Sequence, residues 1–310
     1  MRVFIAGGTG LVGSSIIRNA PEDSEIHAPS RAELNLLDRK AVAIALKKID
    51  PEIVMLAAAK VGGIAANSKY QRDFLVTNLD IQNSVIMSAR EVGVRSLVFL
   101  GSSCIYPKEA KQPISEDSLM TGPLEQTNEG YAIAKIAGVR LCRAISEEDG
   151  LRYFSLMPTN LYGPIDNFHK ENSHVPAALL RRFHEAKINK IESVKVWGTG
   201  RPRREFMHVD DLASACWSLV GKAQGGELLN VGTGIDISIG EFAHLVARIV
   251  GYEGRLEFDL SKPDGTFRKL LNVERIHGYG WSHRISLEEG LKNTYKWYLE
   301  ASQKGTVREF

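Results

Sequence analysis

Arg2 to Ala6 is a short β-branched and aromatic run that passes straight into Gly7-Gly8-Thr9-Gly10-Leu11-Val12-Gly13. A helical pattern begins near Leu11, with Ile16 and Ile17 on its apolar face. A strand, a glycine loop and a helix in that order constrain the fold more than any other feature of the chain. Glycines at 7, 10 and 13 give the spacing GxxGxxG, a variant of the dinucleotide-binding fingerprint. The first glycine permits the tight turn, the second lets the backbone approach a pyrophosphate, and the third lets helix and strand pack closely. The helix N-terminus adds unpaired N–H groups and a partial positive charge for that pyrophosphate. A glycine turn with no ligand is the competing interpretation, and the position directly after the first strand weighs against it.

Strand and helix patterns then alternate. Strands are expected at Glu25 to Ala28, Ile53 to Leu56, Ser96 to Leu100 and Tyr153 to Met157. Helices are expected between them at Lys40 to Lys48, Val76 to Val92 and Gly130 to Glu148. The alternation predicts an α/β fold, a doubly wound, Rossmann-like parallel sheet with helices on both faces. From about Asp166 it weakens into helical patterns at Pro176 to Lys187, Val209 to Gly221, Ile239 to Gly251 and Leu287 to Leu299, with short strands such as Val194 to Trp197. At roughly 150 residues per domain, the 310 residues suggest a dinucleotide-binding domain over 1–165 and a smaller, mainly substrate-binding lobe over 166–310. Some segments of the second part are expected to return to the first sheet.

Ligands on such sheets lie beyond the C-terminal strand ends. The second strand ends in Pro29-Ser30-Arg31. An acidic residue there would bind a ribose 2′-hydroxyl, whereas a basic one accommodates a 2′-phosphate. Arg31 therefore favours NADP(H), against the plainer alternative of a solvated loop arginine.

Thirty-nine Lys plus Arg against 37 Asp plus Glu leave a formal charge of +2, which supplies no basic field for nucleic acid. The apolar run from Ile53 to Ala66 carries Lys60 and is too short to cross a bilayer. The apolar N-terminus is too short for a signal peptide and runs into the glycine loop. Cys104, Cys142 and Cys216 are odd in number and far apart, with neither metal spacing nor a disulfide framework. A cytoplasmic protein is expected.

Tyr131-Ala132-Ile133-Ala134-Lys135 places a phenol and an ammonium at i and i+4, on one helix face. A neighbouring cation favours the phenolate, so the tyrosine could act as an acid near neutral pH. Ser102, in Gly101-Ser102-Ser103-Cys104 at a strand end, could hydrogen-bond the carbonyl oxygen that Tyr131 protonates.

At these residues the chain resembles the extended short-chain dehydrogenase/reductase superfamily. More narrowly it resembles the GDP-L-fucose synthase family, epimerase/reductases of GDP-4-keto-6-deoxy-D-mannose. The matching segments are Ala57-Ala58-Ala59-Lys60-Val61-Gly62-Gly63-Ile64, Gly101-Ser102-Ser103-Cys104-Ile105-Tyr106-Pro107, Tyr131 to Lys135 and Pro158-Thr159-Asn160-Leu161-Tyr162-Gly163-Pro164. Asn172-Ser173-His174-Val175, Arg203-Arg204-Glu205-Phe206 and Lys262-Pro263-Asp264-Gly265-Thr266 extend the match over nearly the whole chain.

The resemblance implies that Cys104 and His174 exchange protons at C3 and C5, beside a C4 ketone. The enolate would rest on O4, where Tyr131 and Ser102 are aimed. It also implies NADPH as hydride donor, with Leu100, Gly101, Ser102, Ser103, Lys135, Pro158, Thr159, Asn160, Leu161 and His174 lining its site beside the glycine loop. Arg182, Trp197, Arg204 and Asp264 become GDP-sugar contacts. Bacterial members of the family carry an arginine at the position of Thr9, which leaves Arg31 as the main candidate for the 2′-phosphate. The helices Val76 to Val92 and Gly130 to Glu148 resemble the pair that forms a four-helix homodimer seam. Without the resemblance, Cys104 reads as a small buried residue and His174 as a loop histidine. Cys142 and Cys216 read as structural. Another GDP-4-keto sugar, a 3,6-dideoxy or heptose derivative, is the alternative substrate. A non-enzymatic nucleotide-sensing module on the same fold is the alternative from another class.

Overall fold

The computed structural model describes residues 1–170, 172–262 and 264–309, so Pro263 of the last matching segment lies outside the described residues. Its first half runs β1 (Arg2–Ala6), α1 (Leu11–Arg18), β2 (Glu25–His27), α2 (Arg39–Ile49), β3 (Ile53–Leu56), α3 (Ile64–Lys69), α4 (Gln71–Glu91), β4 (Ser96–Leu100), α5 (Glu129–Asp149) and β5 (Arg152–Pro158). The expected strands at β3 and β4 have the expected bounds. Every residue of both is buried, which is why they read as continuous apolar runs.

Most other elements end within a few residues of expectation, and α4 and α1 show the departures with a clear physical cause. Helix α4 starts at Gln71, five residues before Val76, because Asp73 favours the first turn and Phe74, 2% exposed, already faces the core. The short helix α3 precedes it. On α1, Ile16 is fully buried but Ile17 is 37% exposed, since neighbours in sequence stand about 100° apart on a helix and both cannot face the core.

The second half continues with β6 (Asn160–Tyr162), α6 (Val175–Ile188), β7 (Ser193–Trp197), β8 (Arg203–His208), α7 (Val209–Leu219), β9 (Leu228–Val231), β10 (Asp236–Ser238), α8 (Ile239–Val250), β11 (Arg255–Asp259), β12 (Arg268–Lys269), α9 (Glu274–Gly278) and α10 (Leu287–Gln303). A parallel six-stranded sheet runs in the order β2-β1-β3-β4-β5-β9. From β1 the chain goes outward to β2 and returns across β1 to β3. A crevice therefore opens at the C-terminal ends of β1 and β3.

Two apolar cores form. One covers the six-stranded sheet and includes Leu212, Cys216 and Leu219 of α7 and Leu229 and Val231 of β9. The other joins Phe168, Leu180, Phe183, Phe206, Phe242 and Tyr298. Helix α7 is tied to α1 by Ser15 Oγ, which donates to Asp210 Oδ1 at 2.6 Å, and by Trp217 Nε1, which donates to Ile16 O at 3.0 Å. Helix α8 starts on a reciprocal Ser238–Glu241 capping box and stops at Gly251 in the left-handed region.

Candidate active site

The glycine loop occupies the crevice. Gly7 has φ +92°, and a Cβ there would lie 2.7 Å from Ala58 N. A Cβ on Gly13 would lie 2.1 Å from Gly7 O, so the third glycine is what lets α1 press onto the loop. Gly10 caps α1 without a side-chain bond, and the first turn carries no acid. This end is left to its backbone N–H groups and positive dipole, which fit a pyrophosphate.

At the end of β4 the chain turns through Gly101 into a 3₁₀ turn, Ser103–Ile105, where Ser102 Oγ accepts the Cys104 N–H at 3.2 Å. Helix α5 runs past the same point and brings Tyr131 and Lys135 to it. Tyr131 shares a hydrogen bond with Ser102 and lies close enough to feel the charge of Cys104. Burial pushes its phenol well above the ordinary value, the Cys104 sulfur adds to the rise, and the Ser102 bond opposes it.

Lys135, 3% exposed, donates to Leu100 O at 2.8 Å and sits 4.8 Å from the Phe99 ring centroid and 5.8 Å from that of Tyr131, the phenol it is expected to neighbour. Burial draws its ammonium down to about 7. Tyr131 is thus a phenol that keeps its proton until an acceptor arrives.

The lysine shift has a measurable consequence. Between about 7 and the ordinary lysine value near 10.4, the unfolded chain holds a proton that the folded chain has released. Stability of the ligand-free protein therefore rises with pH across that window, by up to about 1.4 kcal/mol per pH unit from this group. Lys135→Met is expected to lose that contribution, so urea melts from about pH 7 to 10 should give a flatter profile than wild type. Parallel profiles would contradict it.

The other wall is the turn from β5 into β6. Thr159 N–H donates to Val231 O at 3.0 Å, while Thr159 Oγ1 and Asn160 Nδ2 both donate to Glu205 O, at 3.2 and 2.8 Å. Pro158, Thr159, Asn160 and Leu161 thereby line the sheet's C-terminal edge beside β4. Three nearby residues escaped the sequence. Phe74 meets the Tyr131 ring edge-on at 6.4 Å. Lys269 Nζ donates to Cys104 Sγ at 3.8 Å. Glu205, fully buried, accepts the N–H groups of Thr233, Gly234 and Leu271 at 2.6, 2.8 and 3.0 Å. The Arg203 to Phe206 segment had marked the place of Glu205 but drew attention only to its arginines.

His174 is the N-cap of α6 and is exposed, and desolvation by the surrounding protein still holds its imidazole below the ordinary value. It follows Asn172, whose carbonyl accepts the Gly63 N–H at 3.3 Å, and so stands beside the loop after β3. The four residues expected at the sugar nucleotide form two groups. Arg182 Nη1 donates to Lys195 O at 2.7 Å, and Arg182 shares a cavity of about 290 Å³ with Trp197. Arg204 Nη1 donates to Arg203 O at 2.8 Å and Thr266 O at 2.6 Å, and it feels the charge of Asp264. Asp264 accepts from Thr199 N and Oγ1 at 2.8 and 2.7 Å. In each arginine one nitrogen is held by backbone carbonyls, which fixes the rest of the guanidinium fork.

Arg31 is exposed just beyond β2, and the nearby Glu33 carboxylate accepts the Ser30 N–H at 2.8 Å. The three cysteines are free; burial pushes the Cys142 and Cys216 thiols up to about 12, as fits structural residues. Among the described residues, no helix is long and apolar enough to cross a membrane.

The nucleotide crevice and the serine, tyrosine and lysine at one strand end define a class. The chain belongs to the NAD dependent epimerase/dehydratase family, which residues 3–232 match. It is 54% identical to the GDP-L-fucose synthase of Escherichia coli over 312 residues, covering 96% of this chain and 97% of that protein. Its structure resembles a GDP-L-fucose synthetase from Naegleria fowleri bound to NADP, with a TM-score of 0.90, 26% identity and coverage of 98% and 94% of the two chains. A GDP-6-OMe-4-keto-L-xylo-heptose reductase from C. jejuni is equally similar in shape, with a TM-score of 0.90, 36% identity and coverage of 96% and 97%.

Proposed function

We propose that this protein converts GDP-4-keto-6-deoxy-D-mannose to GDP-L-fucose, epimerising C3 and C5 and then reducing the C4 ketone with NADPH. The observation that carries this is the meeting of Cys104 with Ser102 and Tyr131. Reduction of a ketone needs the serine, tyrosine and lysine; a thiol at the same carbonyl adds a group for proton exchange.

C3 and C5 both flank the ketone, so removing either proton places the charge on O4. Tyr131 and Ser102 donate to that oxygen. Cys104 takes a proton as thiolate and His174 returns one to the opposite face. Bound NADPH supplies the hydride that reduces C4. Tyr131 then gives its proton to O4, while Lys135 sits beneath its ring. Arg182 and Arg204 hold the diphosphate, Trp197 covers an apolar face and Asp264 accepts from the nucleoside. The glycine loop, Leu100 to Ser103, Pro158 to Leu161 and His174 hold the cofactor, and Arg31 takes its 2′-phosphate.

Incubation with GDP-4-keto-6-deoxy-D-mannose is expected to yield GDP-L-fucose with one NADPH consumed per product, and with NADH much slower. The heptose reductase likeness favours one other substrate class. Turnover of a GDP-4-keto-heptose with no turnover of the deoxymannose compound would replace the first reading with that one.

The same reading includes a cytoplasmic homodimer. Val76 on α4 and Ile133 on α5 are 48% and 43% exposed, as expected of a helix-pair seam. Light scattering is expected to give twice the chain mass of 34.3 kDa; a single chain mass would overturn the dimer.

A further inference from the structure

We infer that Lys269 is a positioning residue for proton exchange at Cys104, an inference that rests on the reading of Cys104 as the exchanging group. The Lys269 ammonium donates to Cys104 Sγ at 3.8 Å across 165 residues of sequence. A lysine with a purely structural duty at this depth would be expected to meet a carboxylate or a carbonyl. This one meets a half-buried thiol close enough to Tyr131 for its charge to be felt there, on a residue whose backbone N–H donates to Ser102.

Both partners are held by buried polar groups, and neither placement depends on the lysine itself. On the lysine side, β12 runs parallel to β8 with Lys269 opposite Arg204. Leu271 N–H donates to Glu205 Oε2 at 3.0 Å, and Leu270 N–H donates to Gln112 Oε1 at 2.9 Å. Arg268 is paired with Asp236. On the cysteine side, the 3₁₀ turn ends at Tyr106, whose hydroxyl donates to Asn230 Oδ1 at 2.6 Å. Asn230 Nδ2 then donates to Asn272 O at 3.1 Å, which closes a ring between the two segments. Glu205 and Asn230 are both fully buried. A fixed frame therefore presents an ammonium to a sulfur in the turn just after β4.

The step in which it acts is a proton transfer from carbon to sulfur. The C–H bond beside the C4 ketone breaks, the S–H bond forms, and the electron pair of the C–H bond passes into the enolate on O4. The Lys269 proton stays on nitrogen throughout. Its N–H aims a sulfur lone pair at the carbon, and its charge holds the thiolate in place before transfer.

The test uses deuterium wash-in at C3 and C5 of GDP-4-keto-6-deoxy-D-mannose in deuterated water, with NADP⁺ present so that no reduction follows. Lys269→Met is expected to slow wash-in at least about tenfold, the loss of one hydrogen bond to a charged group, with KM little changed. Lys269→Arg is expected to recover most of the rate, because it restores a cationic N–H donor. Cys104→Ala combined with Lys269→Met should be no slower than Cys104→Ala alone. Wild-type wash-in in Lys269→Met, a rise confined to KM, or no recovery in Lys269→Arg would each overturn the inference. If Cys104→Ala itself exchanged at the wild-type rate, the reading of Cys104 would fail first and take the inference with it.

Discussion

Tyr131→Phe is expected to lower the rate of NADPH-dependent reduction by about 10³-fold, the scale of a lost general acid. The substitution removes one oxygen and little else. The ring keeps its edge contact with Phe74 and its place over Lys135, so the fold and the cofactor site should survive. What disappears is the hydroxyl of a half-buried side chain, bonded to Ser102 and kept protonated by desolvation. Proton exchange should fall as well, since the same hydroxyl serves the enolate, but by less, because Ser102 remains. Stopped-flow loss of NADPH absorbance checks the first claim. A variant within about tenfold of wild type would show that the proton for O4 comes from elsewhere.

Cys104→Ala is expected to abolish deuterium incorporation, by at least about 10²-fold, while NADPH is still consumed slowly. The thiol accepts from Lys269, while the bond to Ser102 is made by the Cys104 backbone N–H and survives the substitution, so its loss should cost little stability. The product should be the C4 alcohol of the unepimerised sugar, because the reducing groups do not include the sulfur. NMR of the product distinguishes this from general inactivation. A variant that still delivers GDP-L-fucose at the wild-type rate would remove Cys104 from the mechanism.

The parts of this site that were legible in the sequence are those that one segment carries alone. Gly7, Gly10 and Gly13 announce the crevice because a tight turn and close helix packing each leave a local residue choice. Tyr131 and Lys135 announce themselves because one helix turn fixes their relation. The alternation of strands and helices announces a parallel sheet covered on both faces, but not the order in which its strands pair. Lys269 and Glu205 carried no such mark. Their meaning comes from contacts across 165 residues to Cys104 and 66 to Leu271, and a two-residue strand such as β12 has no periodicity to reveal it. Local spacing placed the Lys135 ammonium near the phenol, where the structure has it, but the burial that lowers the lysine and raises the tyrosine is a property of the packed sheet and leaves no local mark.

The central claim is that one site performs both proton exchange and reduction. It is tested most directly by NMR of GDP-4-keto-6-deoxy-D-mannose with the protein and NADPH in deuterated water. Deuterium at both C3 and C5 of a GDP-L-fucose product is the predicted result. NADPH consumption with no deuterium in the product would contradict it, leaving a simple 4-ketoreductase in which Cys104 and His174 are structural.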